Sequence, residues 1–401
     1  MPPRSGRIGH ALGPVRRTLE DALRGRRPQP VAQAAARAGD PADAAAGACT
    51  LLIAWSGGPD SAALFGLVEL LARPLGLRLV VGHVDHGLRA SSADEAALVV
   101  ATARARGHDV RSTRLALAPG PGLPARARAA RRAALGAQAL ELGASFVVLG
   151  HTATDQAETI LLHACRGAGL AGLSAMAPCE PWSHGEPSTK PSALDERPRW
   201  EGIVLRPLLH LSRAETRELA IELAIPFVDD PSNLDVDRPR VAIRQRVLPV
   251  LRAINPGVEG HLVALARLAR DAERAIALAS ERVVAEGTTL DAVDGARTLA
   301  LAELRLQPTA VRAHSVRAFC QCAGVPLDAL HERTLAAIDA AVMGGVAEPG
   351  RTRRWDLHPR LTLWLEQGRL RLVPTSPPAI PPRIEPMDSA RSGGGPDDDP
   401  V

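Results

Sequence analysis

The sequence predicts an α/β protein: a parallel sheet with helices on both faces, followed by a mainly helical domain and a short C-terminal hairpin. Three observations carry this. Short apolar runs alternate with longer helical segments from residue 49 to residue 224. Apolar residues recur at helical spacing through the third quarter of the chain. Leu361, Leu363 and Leu365 alternate with Arg360, Thr362 and Trp364 near the end. Strands alternating with helices of this length pair in parallel, with both faces covered.

Taken in order, residues 1–47 are rich in Ala, Arg and Pro and read as a poorly ordered or partly helical extension. Thr50–Trp55 is a short apolar run that reads as a buried strand. Asp60–Ala72 reads as a helix, Arg78–Val84 as a second strand and Asp94–Arg106 as a helix. Asp109–Leu117 is the next strand candidate, Pro124–Leu142 a helix and Ser145–Gly150 a strand. Thr154–Arg166 is helical again. Residues 177–201 hold several prolines, with Trp182 and Trp200 near the two ends, and read as an inserted loop rather than an element. Ile203–Leu209 resumes the strand pattern, and Ser212–Ala224 reads as a helix.

Beyond Asp230-Pro-Ser-Asn233 the pattern is helical. Asn255-Pro256 suits a helix start, and Leu262, Leu265, Ala269, Ala272, Ile276, Ala279 and Val283 trace one face. Thr309–Cys322 and Leu327–Met343 are further amphipathic stretches. Leu361–Leu365, then Gln367-Gly368, then Arg369–Val373 make a hairpin signal. Residues 376–401 are Pro, Gly, Ser and Asp, a composition that does not fold.

Composition narrows the function classes. No apolar run approaches the ~18 residues that would span a bilayer, and no secretory h-region is present, so a cytoplasmic protein is expected. Five cysteines in 401 residues do not make a disulfide scaffold. The net charge is +4, and Lys190 is the single lysine among the 48 basic residues. Arginine is the better fork for phosphate, which suits a polyanionic partner, although biased composition explains the same count.

The most informative segment is Ser56-Gly57-Gly58-Pro59-Asp60-Ser61, where a buried strand hands over to a helix. Two glycines permit a tight turn, and its N–H groups with the helix N-terminus form an anion nest. Ser56 and Ser61 add hydroxyl donors. There is no lysine, so this is not a Walker A loop. Asp60 beside a polyphosphate would repel it unless it held Mg²⁺. Further motifs follow in order: His83-Val-Asp85-His-Gly-Leu-Arg89, Gly150-His151-Thr-Ala-Thr-Asp155-Gln-Ala-Glu158-Thr159, Cys165–Leu173, Arg206-Pro-Leu-Leu209 and Asp230–Asn233.

The hexapeptide resembles the pyrophosphate-binding loop of the N-type ATP pyrophosphatases, and the ordered set is similar to the tRNA(Ile)-lysidine synthetase family from about Leu51 to Leu251. The resemblance implies an adenine nucleotide alpha hydrolase-like, PP-loop fold. Together with the composition and the patterns above, it divides the chain into a 1–47 extension, a 48–232 ATP-binding catalytic domain with its insertion at 177–201, a 233–345 helical tRNA-binding domain, a 346–375 hairpin element and a 376–401 tail. It implies ATP-dependent ligation of free L-lysine to C2 of the wobble cytidine (position 34) of tRNA(Ile) with a CAU anticodon. The cytidine is adenylated first, pyrophosphate leaves, and lysine then displaces AMP, so that the anticodon reads AUA in place of AUG. ATP is co-substrate and Mg²⁺ the expected ion. The oligomeric state stays open, with a homodimer as one option.

By the same resemblance, Ser56, Gly57, Gly58, Pro59, Asp60, Ser61, His83 and Asp85 would bind ATP, and Asp60 and Asp155 would hold Mg²⁺. Asp60, His151, Asp155, Glu158 and Arg206 would form the catalytic set. His151 would contact phosphate or cytidine, Glu158 would steer or deprotonate the lysine ammonium, and Arg206 would stabilise phosphate charge. Arg128 and Arg131, at i and i+3 on one helix face, and Arg240 and Arg244, one turn apart in an acid-free arginine row from Arg238 to Arg252, would contact tRNA. Each has a plainer reading: a strand-end histidine for His83, a turn cap for Asp85, solvated helix faces for the arginines.

Departures from the family pattern are Val241 in place of Asn, Arg132 in place of an aromatic, and the large Trp55 before the loop. Two other functions compete. A tRNA 2-thiolation enzyme of the same superfamily would be expected to pair cysteines, yet no C-x-x-C occurs. A nucleotide-responsive tRNA-binding protein without catalysis would not need the acids retained here.

Overall fold

The structure, a computed structural model, describes residues 6–25, 49–85, 87, 92–182, 199–230, 235–291, 295–326, 329–344, 352–358, 361–366 and 368–374. The expectations for His86, Arg89, Pro231–Asn233 and the 376–401 tail lie outside the described residues, as does most of the 177–201 insertion. The chain divides into two compact units, Met1–Asp271 and Ala272–Val401.

In the first unit the order is α1 (Gly6–Arg24), β1 (Cys49–Ala54), α2 (Pro59–Ala72), β2 (Leu77–Asp85), α3 (Ser92–Ala105), β3 (Asp109–Arg114), α4 (Leu123–Glu141), β4 (Phe146–Val148), α5 (Ala153–Cys165) and α6 (Leu170–Leu173). There follow β5 (Cys179–Pro181), β6 (Ile203–Leu205), α7 (Arg213–Glu222), α8 (Pro239–Ala242), a π-helical turn (Ile243–Val247), α9 (Leu248–Ile254) and the start of α10 (Val258–Gly287). The sheet order is β3-β2-β1-β4-β6-β5. Every pairing is parallel except β5 on β6. The apolar strand runs follow from burial on both faces: Leu51 and Ile53 enter one core with Leu79 and Val81, while Leu52 enters the other with Val80 and Val147.

One expectation is sharpened here and one corrected. Of the two readings of the extension, the partly helical one describes residues 6–24, a helix whose Ile8, Ala11, Leu12, Val15, Leu19 and Ala22 are buried in the first core. That spacing is one helical stripe; the surrounding Ala/Arg bias and Pro14 disguise it. The insertion also contains an element, the edge strand β5. Its ends are anchored by Trp182 and Trp200, which pack edge to face with centroids 5.2 Å apart, and Trp200 Nε1 donates to Ala144 O at 2.7 Å. Arg132 stacks 4.6 Å over the Trp182 ring, which gives this departure from the family pattern a local partner.

The contacts do not divide at 232/233. A small core of Ala157, Ile243 and Leu248, joined by Leu161, Leu251 and Leu262, packs the α8–α9 segment onto α5.

In the second unit, the latter part of α10 leads to β7 (Thr288–Leu290), β8 (Arg297–Ala300), α11 (Leu301–Arg305), α12 (Thr309–Gln321), α13 (Glu332–Met343), β9 (Arg353–His358), β10 (Leu361–Glu366) and β11 (Arg369–Pro374). The expected hairpin is real, with Leu363 opposite Leu372, but it sits within a five-stranded antiparallel sheet of order β7-β8-β11-β10-β9. A lone hairpin is marginal in water; here Leu363, Leu365, Leu370 and Leu372 are buried with Phe319 of α12 and Ile338 of α13. Among the described residues no helix is long and apolar enough to cross a membrane.

Candidate active site

The loop between β1 and α2 closes on itself. Gly57 adopts φ +91°, a conformation costly for any other residue, and its carbonyl accepts from Val228 N at 2.9 Å. Gly58 is the N-cap of α2, with Pro59 at the first helical position and Asp60 in the first turn. Ser61 Oγ donates to Gly58 O at 2.9 Å and accepts from Ser56 N at 3.2 Å; the Ser56 and Ser61 hydroxyls lie 3.2 Å apart. The result is an N-terminus-plus-hydroxyl anion cradle, with no intrahelical partners for the first amides of α2. Gly150 lies against it: a Cβ there would meet Asp60 O at 3.1 Å and Ser61 Cα at 3.3 Å.

His83 and Asp85, at the end of β2, are both buried. His83 Nδ1 bonds Trp55 O at 2.8 Å, and its Nε2 is buried without a hydrogen-bond partner. Asp85 Oδ1 accepts from Gly87 N at 2.7 Å, so it does cap the turn. Burial alone would raise this carboxyl; hydrogen bonds from Gly87 and Ser92, with Arg114 nearby, outweigh it and hold it below the usual value.

The N-terminus of α5 brings the next group together. Thr152 and Asp155 form a capping box, with Asp155 Oδ2 accepting from Thr152 N and Thr152 Oγ1, each at 2.9 Å. Asp155 Oδ1 accepts from Arg213 Nη2 at 2.9 Å. Burial opposes ionisation of Asp155, but Arg213, then His151 and the Thr152 amide, prevail and lower it to about 2. Asp60 behaves oppositely. Burial raises it, and Arg213 at 3.6 Å with a 2.5 Å hydrogen bond from Thr216 compensates only in part. The imidazole of His151 is lowered to about 4 chiefly by burial; Asp155 opposes this, and Arg206, Arg131 and Arg240 add to it. Arg206 Nε donates to His151 Nδ1 at 3.2 Å, which leaves the proton of the neutral ring on Nε2, a donor.

Glu158 is 0% exposed. Its Oε1 accepts from Arg244 Nε at 2.5 Å, and its Oε2 is buried with no hydrogen-bond partner. Arg206, 5% exposed, also donates to Ala177 O and to Glu180 Oε1. Its nitrogens thus orient His151, pair Glu180 and reach Ala177 O.

The arginine row is divided. Arg244 is held by Glu158, Arg240 Nη2 donates to Thr159 Oγ1 at 3.2 Å, Arg238 pairs with Asp235 and Arg252 with Glu259. The π-helical turn, a rare geometry associated with functional sites, sets Arg244 against α5. On α4, Arg128 is exposed and Arg131 half-buried. Burial and Arg128 depress the Arg131 guanidinium, and burial and Arg128 likewise depress Arg240. Arg128 of α4 and Arg240 of α8 are thus close enough to act on each other electrostatically.

Arg213 and Thr216, at the start of α7, are site residues that sequence reasoning missed. The S-x-x-E capping box of Ser212 and Glu215 marks where α7 begins, but only folding brings its first turn onto Asp60 and Asp155.

Among the described residues no group of three or more His, Cys, Asp or Glu is arranged to hold a metal. A Mg²⁺ that uses one or two carboxylates plus substrate phosphates needs no such cage. Asp60, part-buried with 18% of its side chain exposed and its charge incompletely compensated, fits that role; both Asp155 oxygens are already engaged.

A PP-loop domain family matches residues 31–251. The tRNA(Ile)-lysidine synthase of Salinispora arenicola is 36% identical over 336 residues, covering 82% of this chain and 92% of that protein. That of Streptomyces coelicolor is 37% identical over 296 residues, covering 73% and 78%. Among solved structures, the U34-tRNA thiolase NcsA from Methanococcus maripaludis with its 4Fe-4S cluster aligns with a TM-score of 0.47 at 17% identity, over 67% of this chain and 80% of that one. With a phosphate cradle and its flanking acids in place and matches of this extent, the chain belongs to the tRNA(Ile)-lysidine synthase family of PP-loop proteins.

Proposed function

We infer that the chain is an ATP-dependent ligase that forms lysidine on tRNA(Ile), joining free L-lysine to C2 of the wobble cytidine of the CAU anticodon. The observation that carries this reading is the cradle at 56–61 with Asp60 part-buried at its edge, together with a fully buried glutamate that keeps one oxygen without a hydrogen bond.

Cytidine O2 attacks the α-phosphate of ATP, the bond to the β-phosphate breaks, and pyrophosphate leaves. The ε-amine then attacks C2, and the C2–O2 bond breaks to release AMP. Phosphoryl transfer needs alignment and charge stabilisation above all. The 56–61 amides and hydroxyls would hold the departing pyrophosphate. Neutral His151, positioned by Arg206, would donate from Nε2 to a phosphate or cytidine oxygen. Glu158 Oε2 would take the lysine ammonium and then its proton, which must leave before the amine can attack. Asp60 would carry Mg²⁺, which when bound neutralises polyphosphate charge. Arg128, Arg131 and Arg240 would meet the anticodon backbone.

Incorporation of radiolabelled lysine into a tRNA(Ile) transcript bearing CAU, with ATP and Mg²⁺, tests the reading. It should occur in the wild type and fall at least a hundredfold in Asp60→Asn. No incorporation by a folded wild-type protein refutes the activity, and full incorporation by the variant refutes the role of Asp60. A 2-thiolation role finds no support in the cysteines. Cys320 lies in the second unit's core, its thiol pushed up to about 12 by burial, and Cys165, Cys179 and Cys322 are exposed and free.

A further inference from the structure

The motifs that mark the site leave α7 without a task, yet its first turn grips both acids beside the phosphate cradle. Arg213 Nη2 donates to Asp155 Oδ1 at 2.9 Å, and Arg213 Nε stands 3.6 Å from Asp60 Oδ2, buried and without a hydrogen bond. Its backbone amide donates to Thr154 Oγ1 at 3.1 Å, so the residue is tied to α5 at both ends. Three residues on, Thr216 Oγ1 donates to Asp60 Oδ1 at 2.5 Å. Leu211 O accepts from Ala153 N at 2.7 Å, which closes the same seam.

Two carboxylates in one partly desolvated pocket repel each other, and a cation placed between them relieves that repulsion. A divalent cation would be drawn to the same two groups. Two acids and one arginine leave a single net negative charge, too little to hold a dication well in a pocket that already contains a guanidinium. A triphosphate in the 56–61 cradle changes the balance by adding several negative charges at once.

We propose that Arg213 is the resident counter-cation of Asp60 and Asp155, a positioning residue that keeps both carboxylates in place and makes divalent-cation loading conditional on nucleotide. The proposal rests on the reading of residues 56–61 as a triphosphate site. Arg213 acts through the two acids, and its removal frees them for a metal that arrives without nucleotide.

The test uses Mn²⁺ as probe, its free signal followed by electron paramagnetic resonance, on the full-length protein. Titrations are made alone and with the α,β-methylene analogue of ATP, whose own binding is measured separately by equilibrium dialysis. The wild type should bind Mn²⁺ weakly alone and tightly with the analogue. Arg213→Gln should bind Mn²⁺ alone at least tenfold more tightly than the wild type. Asp60→Asn in that background should remove the gain, and Arg213→Lys should restore the wild-type pattern. A folded Arg213→Gln protein with unchanged affinity for Mn²⁺ alone overturns the proposal, as does an Arg213→Lys protein that behaves like Arg213→Gln. A wild type that binds Mn²⁺ equally well with and without bound analogue overturns it whatever the variants do. If the analogue fails to bind in dialysis, the triphosphate reading itself falls. If the Mn²⁺ pattern holds but lysine is not incorporated, the substrate assignment falls and the role of Arg213 stands.

Discussion

Replacing Arg244 with methionine strips Glu158 of its counter-charge. The carboxylate is 0% exposed, its bond from Arg244 Nε is 2.5 Å, and its other oxygen has no hydrogen-bond partner. Arg244 itself keeps only 18% of its side chain exposed, so water replaces it poorly. Removing one member of a buried pair costs about 3–5 kcal/mol, because the remaining charge stays desolvated. At roughly 2–4 °C per kcal/mol for a unit of this size, Tm should fall by roughly 6–20 °C. The double variant Glu158→Leu/Arg244→Met removes both charges and should lie within about 2 kcal/mol of the wild type. Urea unfolding of the four proteins of the cycle measures the coupling. The same variant separates two roles for Arg244. An arginine on tRNA phosphate would lower the slope of log affinity against log salt by about 0.7–0.9 when lost; an arginine committed to Glu158 leaves the slope unchanged. A destabilisation under about 1 kcal/mol, or a slope that falls by that amount, would refute the pairing as the purpose of Arg244.

Three further outcomes follow from the geometry. Gly150→Ala places a methyl 3.1 Å from Asp60 O, a backbone atom with little room to yield; steady-state kinetics should show a raised KM for ATP, with an overpacking cost of about 1–3 kcal/mol, and an unchanged KM contradicts the contact. His151 sits at about 4, below its unfolded value of 6.5, so the unfolded chain binds more protons between those values. The stability this neutral ring contributes is intact above pH 6.5 and is lost as pH falls toward 4, to a total of roughly 3 kcal/mol; the pH–stability curve of His151→Asn should be flatter over that window, and an identical curve would count against the shift. Leu12→Ala should cost about 2–4 kcal/mol by thermal melting if α1 is part of the core, since Leu12 is buried there; a change under about 0.5 kcal/mol would mean the helix is dispensable.

Much of the site was legible because its chemistry is local. The turn at 56–61 needs glycine at φ +91° and a proline at the head of α2, and both are written in consecutive residues. The Gly150–Thr159 motif is likewise written in consecutive residues, and the structure adds the capping box at Thr152–Asp155. The N-terminal helix was legible only as one of two readings, for a compositional reason. Its stripe of Ile8, Leu12, Val15 and Leu19 has the right spacing, but Ala and Arg fill the same segment and Pro14 interrupts it. The edge strand β5 escaped because a three-residue strand exists only through its partner β6.

By itself, the sequence determined the alternating strands and helices, the phosphate cradle and the acids at strand ends, since each depends on residues a turn or two apart. Tertiary structure alone decided which charges meet. Arg244 lies far along the chain from Glu158, and Arg213 from Asp60 and Asp155, and spacing in sequence says nothing about which cation a buried carboxylate will find. Ion pairing is set by burial and by the packing of α7 and the α8–α9 segment onto α5, and those are properties of the folded chain.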